Sequence, residues 1–171
     1  MNYLAHARLS FDHPGILVGN MISDFVKGKQ QFTYPSIVQK GISLHRMIDT
    51  FTDAHPVTKE LKSYFRPQYR LYSGAFADIV YDHFLANDPN EFASTYDLEQ
   101  FAGNTYGVLE TTFMLLPFPF QQLFPYMKTQ DWLFHYRFTE GIRKSFVGLT
   151  RRAAYIAESA IAFEKIGRAH V

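Results

Sequence analysis

The chain has 171 residues, of which 47% are hydrophobic and 17% aromatic, a composition that predicts one packed domain and excludes a disordered chain. Its net charge of +1 gives no general signal for nucleic acid, and no apolar stretch approaches the length of a membrane span. The absence of cysteine excludes disulfides, thiolate zinc sites and cysteine nucleophiles, and it fits the reducing conditions of the cytoplasm.

Turn signals and apolar spacing predict an all-α protein, a single-domain bundle of about seven helices. The predicted helices, in chain order, are 16–27, 35–55, 58–65, 73–86, 97–115, 129–138 and 140–165. Gly28 is the predicted C-cap of the first helix, and Pro35 and Pro56 delimit the second. The prolines between 117 and 125 predict an irregular, aromatic-rich segment. No run of strict alternation is long enough to predict a sheet.

The second predicted helix carries His45, Asp49 and Asp53 at a spacing of four, which stacks them along one face. A second group, Asp78 and Asp82 with His83, lies on the fourth predicted helix. Apolar neighbours predict that both sets point inward, and buried carboxylates and imidazoles are costly unless they are paired or hold a metal. Imidazole and carboxylate ligands suit Mn, Fe, Zn or Mg, but the spacing also fits surface groups and helix pairs.

A second constellation lies near the N-terminus. Asn2 and His6 are four apart, as are Asn20 and Asp24, so each pair can share a helical face. His6, between apolar neighbours, is either a ligand or a satisfied core histidine. Lys27, with Lys29 close by, either complements a helix C-terminus or meets phosphate or an acidic partner.

Taken together and in order, several segments of the chain resemble the acyl carrier protein phosphodiesterases, a divergent branch of the HD-type metal-dependent phosphohydrolases. The matching segments are Met1–His6, Gly19–Gly28, Gly41–Asp53, Asp78–Leu85 and Trp132–Tyr136. The chain departs from the ordinary HD signature, because its adjacent pair is reversed, Asp82 followed by His83. The resemblance implies an all-helical, HD-like fold.

The resemblance also implies an activity: cleavage of the phosphodiester between 4′-phosphopantetheine and a serine of holo acyl carrier protein, with manganese as activator and a link to fatty acid biosynthesis. The residues and the resemblance together predict a metal held by a subset of His6, Asp24, His45, Asp49, Asp82 and His83. The predicted catalytic residues are Asp24, Asp49, Asp82, Arg46 and Lys27. In this mechanism a carboxylate or histidine manages the proton of the attacking water, and Arg46 or Lys27 offsets developing charge.

Acyl carrier proteins are acidic, so basic residues on this chain are candidates for docking them. One candidate surface contains Lys27 and Lys29; the other is a stripe on the last predicted helix, formed by Arg143, Lys144, Arg151 and Arg152. Two other functions stay open: an HD-type phosphohydrolase acting on a nucleotide or other small phosphodiester, and a non-catalytic helical binding module.

The final six residues, 166–171, match the translation of a common short-read sequencing adapter. We expect residues 1–165 to be a single helical domain that is truncated at its C-terminus. The natural protein is then expected to continue with a sequence different from residues 166–171. His170 is therefore not counted as a ligand.

Overall fold

Helices form nearly all of residues 3–152, the part of the chain that the computed structural model describes. The nine α-helices in this range are α1 (Tyr3–Arg8), α2 (Pro14–Ile22), α3 (Ser36–Ala54), α4 (Pro56–Tyr69), α5 (Ser73–Ala86), α6 (Thr95–Thr111), α7 (Phe118–Thr129), α8 (Trp132–His135) and α9 (Thr139–Arg152). None of the described residues is in a strand, which confirms the predicted all-α class, and the helix count slightly exceeds seven. The end of the last predicted helix and the segment 166–171 lie outside the described residues.

Among the described helices, none is both long and apolar enough to cross a membrane.

Helix α2 ends earlier than the spacing predicts. It stops at Ile22, and the chain continues through a 3₁₀ turn, Ser23–Phe25, into extended backbone at Val26. Gly28 has a positive φ of 50° and begins a second 3₁₀ segment, Gly28–Thr33, so it does not cap α2 as predicted. Asp24 is thus carried by a tight turn at the end of α2 and not by a helical face.

The proline-rich stretch is helical, so the prediction of an irregular segment was wrong. Pro125 lies inside α7, and a proline there costs about 3 kcal/mol of helix propensity. The same helix fully buries Phe120, Phe124 and Met127 in the core, and burying each such side chain contributes roughly 1.5–3 kcal/mol. Burial therefore outweighs propensity. In the same way α4 runs to Tyr69 and includes Pro67, beyond the end predicted at Phe65.

Two apolar cores lie on either side of α5. The larger core joins α1, α2 and α3 to α6, α7 and α8, whereas the smaller is aromatic and joins α4, α5 and α9. In the smaller core Phe76 stacks on Tyr69 with ring centroids 4.0 Å apart and packs on Phe146 at 4.8 Å. Helix α1 belongs to the larger core, where it packs on α2 and α5, and these contacts place its histidine.

Helices α2 and α3 approach backbone to backbone at Gly19 and Gly41. A Cβ on Gly19 would overlap the carbonyl oxygen of Val38, and one on Gly41 would overlap that of Ile16. Only glycine permits this separation, because the obstructing atoms belong to the main chain and cannot rotate away. The contact brings the end of α2 against the middle of α3.

We expect Gly19→Ala to lower the free energy of unfolding by about 3 kcal/mol, the upper end of overpacking costs, because backbone must move to admit the methyl group. Urea unfolding followed by circular dichroism measures the change. Gly103→Ala is the matched control, since a Cβ at this position in α6 meets nothing within 4 Å. It should raise stability by about 0.5–1 kcal/mol through helix propensity. Equal effects of the two substitutions would contradict the close-contact argument.

Candidate metal site

Three side chains from two helices meet at the edge of the larger core. His6 comes from α1, and His45 and Asp49 come from consecutive turns of α3; one ligand atom from each lies within 4.8 Å of the others. No other such group of histidine and acidic side chains occurs among residues 3–152. The spacing of four between His45 and Asp49 places both on the face of α3 that meets α1 and α2.

The carboxylate of Asp49 faces both imidazoles. Its Oδ1 lies 3.2 Å from Nε2 of His6, and its Oδ2 lies 3.2 Å from Nε2 of His45. The two rings stack with centroids 3.8 Å apart and planes 12° from parallel. Both Nε2 atoms thus point toward one carboxylate.

Asp24 extends the cluster at its open edge. Its Oδ1 lies 3.3 Å from Nε2 of His45, so this nitrogen is flanked by two carboxylates. The side chains of His6 and His45 are 2% and 6% exposed, whereas those of Asp24 and Asp49 are 40% and 49% exposed. The imidazoles therefore form the floor of the site, and the carboxylates form a rim open to solvent.

The ring of His45 is held at both nitrogens. Its Nδ1–H donates to the backbone carbonyl of Asn20 at 2.7 Å, which directs Nε2 toward the carboxylates. Burial acts to lower the pKa of His45, but the hydrogen bonds to Asp24 and Asp49 outweigh it and raise the pKa to about 9. The metal-free site thus carries a proton on Nε2 at neutral pH.

The contact with His45 keeps the carboxylates of Asp24 and Asp49 ionised. The hydrogen bond from His45 lowers the pKa of Asp24 against the effect of burial. Burial acts to raise the pKa of Asp49, but the imidazoles of His45 and His6 beside it outweigh this effect and hold the pKa well below the usual range.

His6 is the least satisfied group in the cluster. The residue is 1% exposed; its Nδ1 has no partner, and its Nε2 lies 3.2 Å from Oδ1 of Asp49 without a regular hydrogen bond. Burial lowers the pKa of His6, so the ring is neutral and Nε2 can offer a lone pair. An unpaired buried polar group is costly unless a ligand satisfies it. The unsatisfied imidazole of His6, with Asp49 beside it and Asp24 beside His45, therefore fits a divalent cation.

Asp82, predicted as a ligand and catalytic residue, is not brought into this cluster. It is fully buried on α5, and its two oxygens accept the backbone N–H groups of Leu4 (3.2 Å) and Ala5 (3.0 Å) in the first turn of α1. Burial raises the pKa of Asp82 to about 8, against the lowering effect of these two donors. Its contacts are those of a side chain that satisfies a helix N-terminus.

His83 lies elsewhere. Its Nδ1–H donates to the carbonyl of Tyr136 at 2.7 Å, which ties α5 to the chain after α8.

Asp53 pairs with Lys62 of α4 at 2.5 Å. The spacing of eight from His45 turns it about 80° around α3, away from the cluster.

The predicted basic residues lie beside the rim. Arg46 is exposed, and its guanidinium donates to Oε1 of Gln31 at 2.8 Å and to the carbonyl of Val26 at 3.4 Å. These contacts attach the backbone that follows Asp24 to α3. Lys27 is exposed between the two 3₁₀ segments.

Sequence reasoning missed the supporting role of Asn20 and Ser10. Both are fully buried, and each donates a hydrogen bond to the backbone carbonyl of His6 at 2.7 Å. The spacing of four between Asn20 and Asp24 singled out Asn20, but as a member of a shared helical face. The sequence offered one signal for this role: Ser10 and Asn20 are polar residues with apolar neighbours, a pattern that indicates buried hydrogen bonds.

The fold and the cluster define an all-helical protein with an open His/Asp site suited to a divalent cation. The model of the family "Acyl carrier protein phosphodiesterase" matches residues 1–170. The acyl carrier protein phosphodiesterase of Photorhabdus laumondii is 31% identical over 97% of this chain and 84% of its own length. That of Salmonella agona is 32% identical over 89% of this chain and 79% of its own length. The chain therefore belongs to the acyl carrier protein phosphodiesterase family, a family of phosphodiesterase enzymes, as the sequence motifs predicted.

No solved structure gives a significant match to this fold.

We expect binding of Mn²⁺ to release about one proton near neutral pH, because His45 holds a proton on Nε2 below its pKa of about 9. The apparent affinity should accordingly rise about tenfold per pH unit between pH 7 and 8. Titration calorimetry in two buffers of different ionisation enthalpy counts the proton. His135→Gln, which alters an exposed histidine of α8, should release the same number. An affinity independent of pH in this range would contradict the assignment.

Proposed function

We propose that this protein hydrolyses the phosphodiester that joins 4′-phosphopantetheine to holo acyl carrier protein and releases the apo form. We further propose that it uses a divalent metal ion, Mn²⁺ first among the candidates. The carrying observation is the orphaned His6 imidazole at the floor of a cluster whose carboxylate rim is open. Membership of the acyl carrier protein phosphodiesterase family supports the substrate and the bond. The activity would act on the carrier protein of fatty acid biosynthesis.

The proposed ligands are His6, His45 and Asp49. Asp24 lies at the edge of this group. A bound divalent cation would neutralise charge on the phosphodiester and assist the ionisation of water. We leave Asp82 and His83 out of the ligand set, because their contacts hold α1 and the chain after α8. Their contribution is to place the elements that carry the ligands.

Asp24 is the proposed proton acceptor. Its side chain is 40% exposed beside Nε2 of His45, so water and substrate can reach it. The water oxygen bonds to phosphorus, and Asp24 takes the proton that this water loses. The bond between phosphorus and the serine oxygen breaks, and that oxygen takes up a proton from solvent. Phosphate leaves with pantetheine, and the carrier protein regains its serine hydroxyl.

Arg46 and Lys27 are proposed to stabilise the phosphate. The guanidinium of Arg46 uses two contacts to brace Val26 and Gln31, which leaves further N–H groups exposed beside the rim. Lys27 follows Asp24 by three residues and is exposed. Lys27 lies on the segment that follows Asp24, and Arg46 contacts the same segment from α3, so in this proposal both meet the negative charge that develops on phosphate.

Docking of the acidic carrier protein is assigned to the surface that contains Lys27 and Lys29. These lysines are exposed at the start of the Gly28–Thr33 segment, directly after the turn that carries Asp24. A carrier protein bound there would bring its modified serine beside the rim. The alternative surface on α9 includes Lys144, which is also exposed but belongs to the helix of the smaller core.

The direct test incubates purified holo acyl carrier protein with the enzyme and Mn²⁺, or with chelator, and follows the carrier by mass spectrometry. Metal-dependent loss of the whole prosthetic group is the expected result. Hydrolysis of small phosphodiesters without any action on the carrier would favour the broader phosphohydrolase function. Absence of both activities, together with absence of metal binding, would favour a binding module.

We expect Asp49→Asn to reduce phosphopantetheine release roughly 100-fold or more, because the variant removes the charged ligand that faces both imidazoles. The matched control is Asp53→Asn, one turn further along α3, where the carboxylate pairs with Lys62 at the surface. Its activity should stay within about twofold of the wild type, since exposed pairs contribute little. Initial rates at saturating Mn²⁺ provide the comparison. Similar rates for the two variants would count against the site.

We expect Lys29→Glu to raise the KM for holo acyl carrier protein roughly 3- to 10-fold at low salt and to leave kcat unchanged, because the change acts on encounter and not on chemistry. Lys144→Glu makes the same charge change on α9 and should leave KM unchanged. Added salt should reduce the difference between Lys29→Glu and the wild type. A higher KM for Lys144→Glu alone would move the docking surface to α9.

A further inference from the structure

We propose that Asn20 is a positioning residue that sets His6 and His45 in their relative places, an inference that rests on the proposed metal-dependent function. One residue of α2 contacts both histidines of the cluster. Its side chain holds the main chain of His6, and its main chain holds the side chain of His45.

The side-chain amide acts on α1. Nδ2 of Asn20 donates to the carbonyl oxygen of His6 at 2.7 Å and to Oγ of Ser10 at 3.0 Å, and this Oγ in turn donates to the same carbonyl at 2.7 Å. The carbonyl belongs to the last turn of α1, where helix carbonyls lack a helical partner. Two buried side chains thus satisfy it, and they fix the backbone from which the His6 ring projects.

The backbone carbonyl of Asn20 acts on α3. It accepts the hydrogen bond from Nδ1 of His45 at 2.7 Å, which sets the tautomer and rotation of that ring and points Nε2 into the cluster. Asn20 follows Gly19, the residue at which α2 and α3 touch, and a Cβ on Gly41 would lie 2.9 Å from the backbone nitrogen of Asn20. The close helix contact therefore delivers this carbonyl to His45.

Few side chains satisfy both requirements in this space. Asn20 is fully buried, so water cannot replace the amide if it is lost. Aspartate has the same shape but donates no hydrogen bond, so it would face the His6 carbonyl acceptor to acceptor. Oδ1 of Asn20 has no hydrogen-bond partner, which offsets part of the stability that Nδ2 contributes. Removal of the amide should therefore disturb the cluster more than it disturbs global stability.

The test measures Mn²⁺ binding by electron paramagnetic resonance and urea unfolding in chelator for Asn20→Ala, Asn20→Asp and Asn87→Ala. Asn87 is the matched control, because its Nδ2 also donates to two backbone carbonyls, those of His83 (2.8 Å) and Arg137 (3.1 Å), outside the cluster. We expect the dissociation constant to rise about 10- to 100-fold in both Asn20 variants, as for other residues that orient metal ligands. Asn87→Ala should bind Mn²⁺ within about twofold of the wild type.

Excess metal provides a second readout. Phosphopantetheine release by Asn20→Ala should be low at limiting Mn²⁺ and should recover as Mn²⁺ is raised, under conditions in which urea unfolding in chelator shows the variant to be folded. This control is needed because Mn²⁺ would also stabilise a merely unstable protein. Wild-type affinity in Asn20→Ala, or a loss no larger than in Asn87→Ala, would overturn the inference.

Failure of the proposed metal dependence has a different signature, since the wild type would then bind no Mn²⁺. In that case the nitrogen-15 resonances of the imidazoles in metal-free protein decide the question. Displaced His6 and His45 signals in the Asn20 variants, with wild-type signals in Asn87→Ala, would uphold the positioning role. Unchanged signals in the Asn20 variants would overturn it.

Discussion

The direct backbone contact between α2 and α3 is the constraint on which the cluster depends. Without side chains at Gly19 and Gly41 the two helices approach closely enough for a carbonyl at the end of α2 to reach the Nδ1–H of His45. The chain then leaves α2 through a 3₁₀ turn, and this turn returns Asp24 to the other nitrogen of the same ring. Asn20 and Asp24 therefore contact His45 from two directions. They can do so although they are only four residues apart, because the chain turns from α-helix to 3₁₀ helix between them.

The electrostatics of the cluster follow from this enclosure. His45 lies between two ionised carboxylates, and burial strengthens their attraction for its proton. His6 stacks 3.8 Å away and stays neutral, because burial and the charge on His45 both disfavour a second proton. The four side chains therefore carry a net negative charge at neutral pH, and the one positive charge, on His45, lies where the carboxylates converge. Because the carboxylates already stabilise the positive charge of His45, the same arrangement would suit a divalent cation.

Local spacing was informative where the ligands share one helix, and it failed where they do not. His45 and Asp49 lie on one face of α3 as predicted, because four residues make slightly more than one turn. Asp53 continued the same pattern, yet twice that spacing accumulates enough rotation to turn it toward Lys62 of α4. The bonds of Asp82 to α1 span 78 and 77 residues of sequence, and no periodicity reports such a separation. The prolines of α7 show the same limit, because burial of the Phe120, Phe124 and Met127 side chains in the same helix overrode a strong local signal.

Helix α1 has six residues, too few to be stable in water without outside support. The carboxylate of Asp82 on α5 holds its first turn. The amide of Asn20 on α2 and the hydroxyl of Ser10, in the loop between α1 and α2, hold its last turn. Because each anchor lies outside α1, the helix depends on these contacts for its stability. It follows that His6 is held in the cluster only while these contacts to α1 are made. A chain in which these contacts are lost would lack the complete His/Asp cluster, so the proposed metal site would exist only in the fully folded protein.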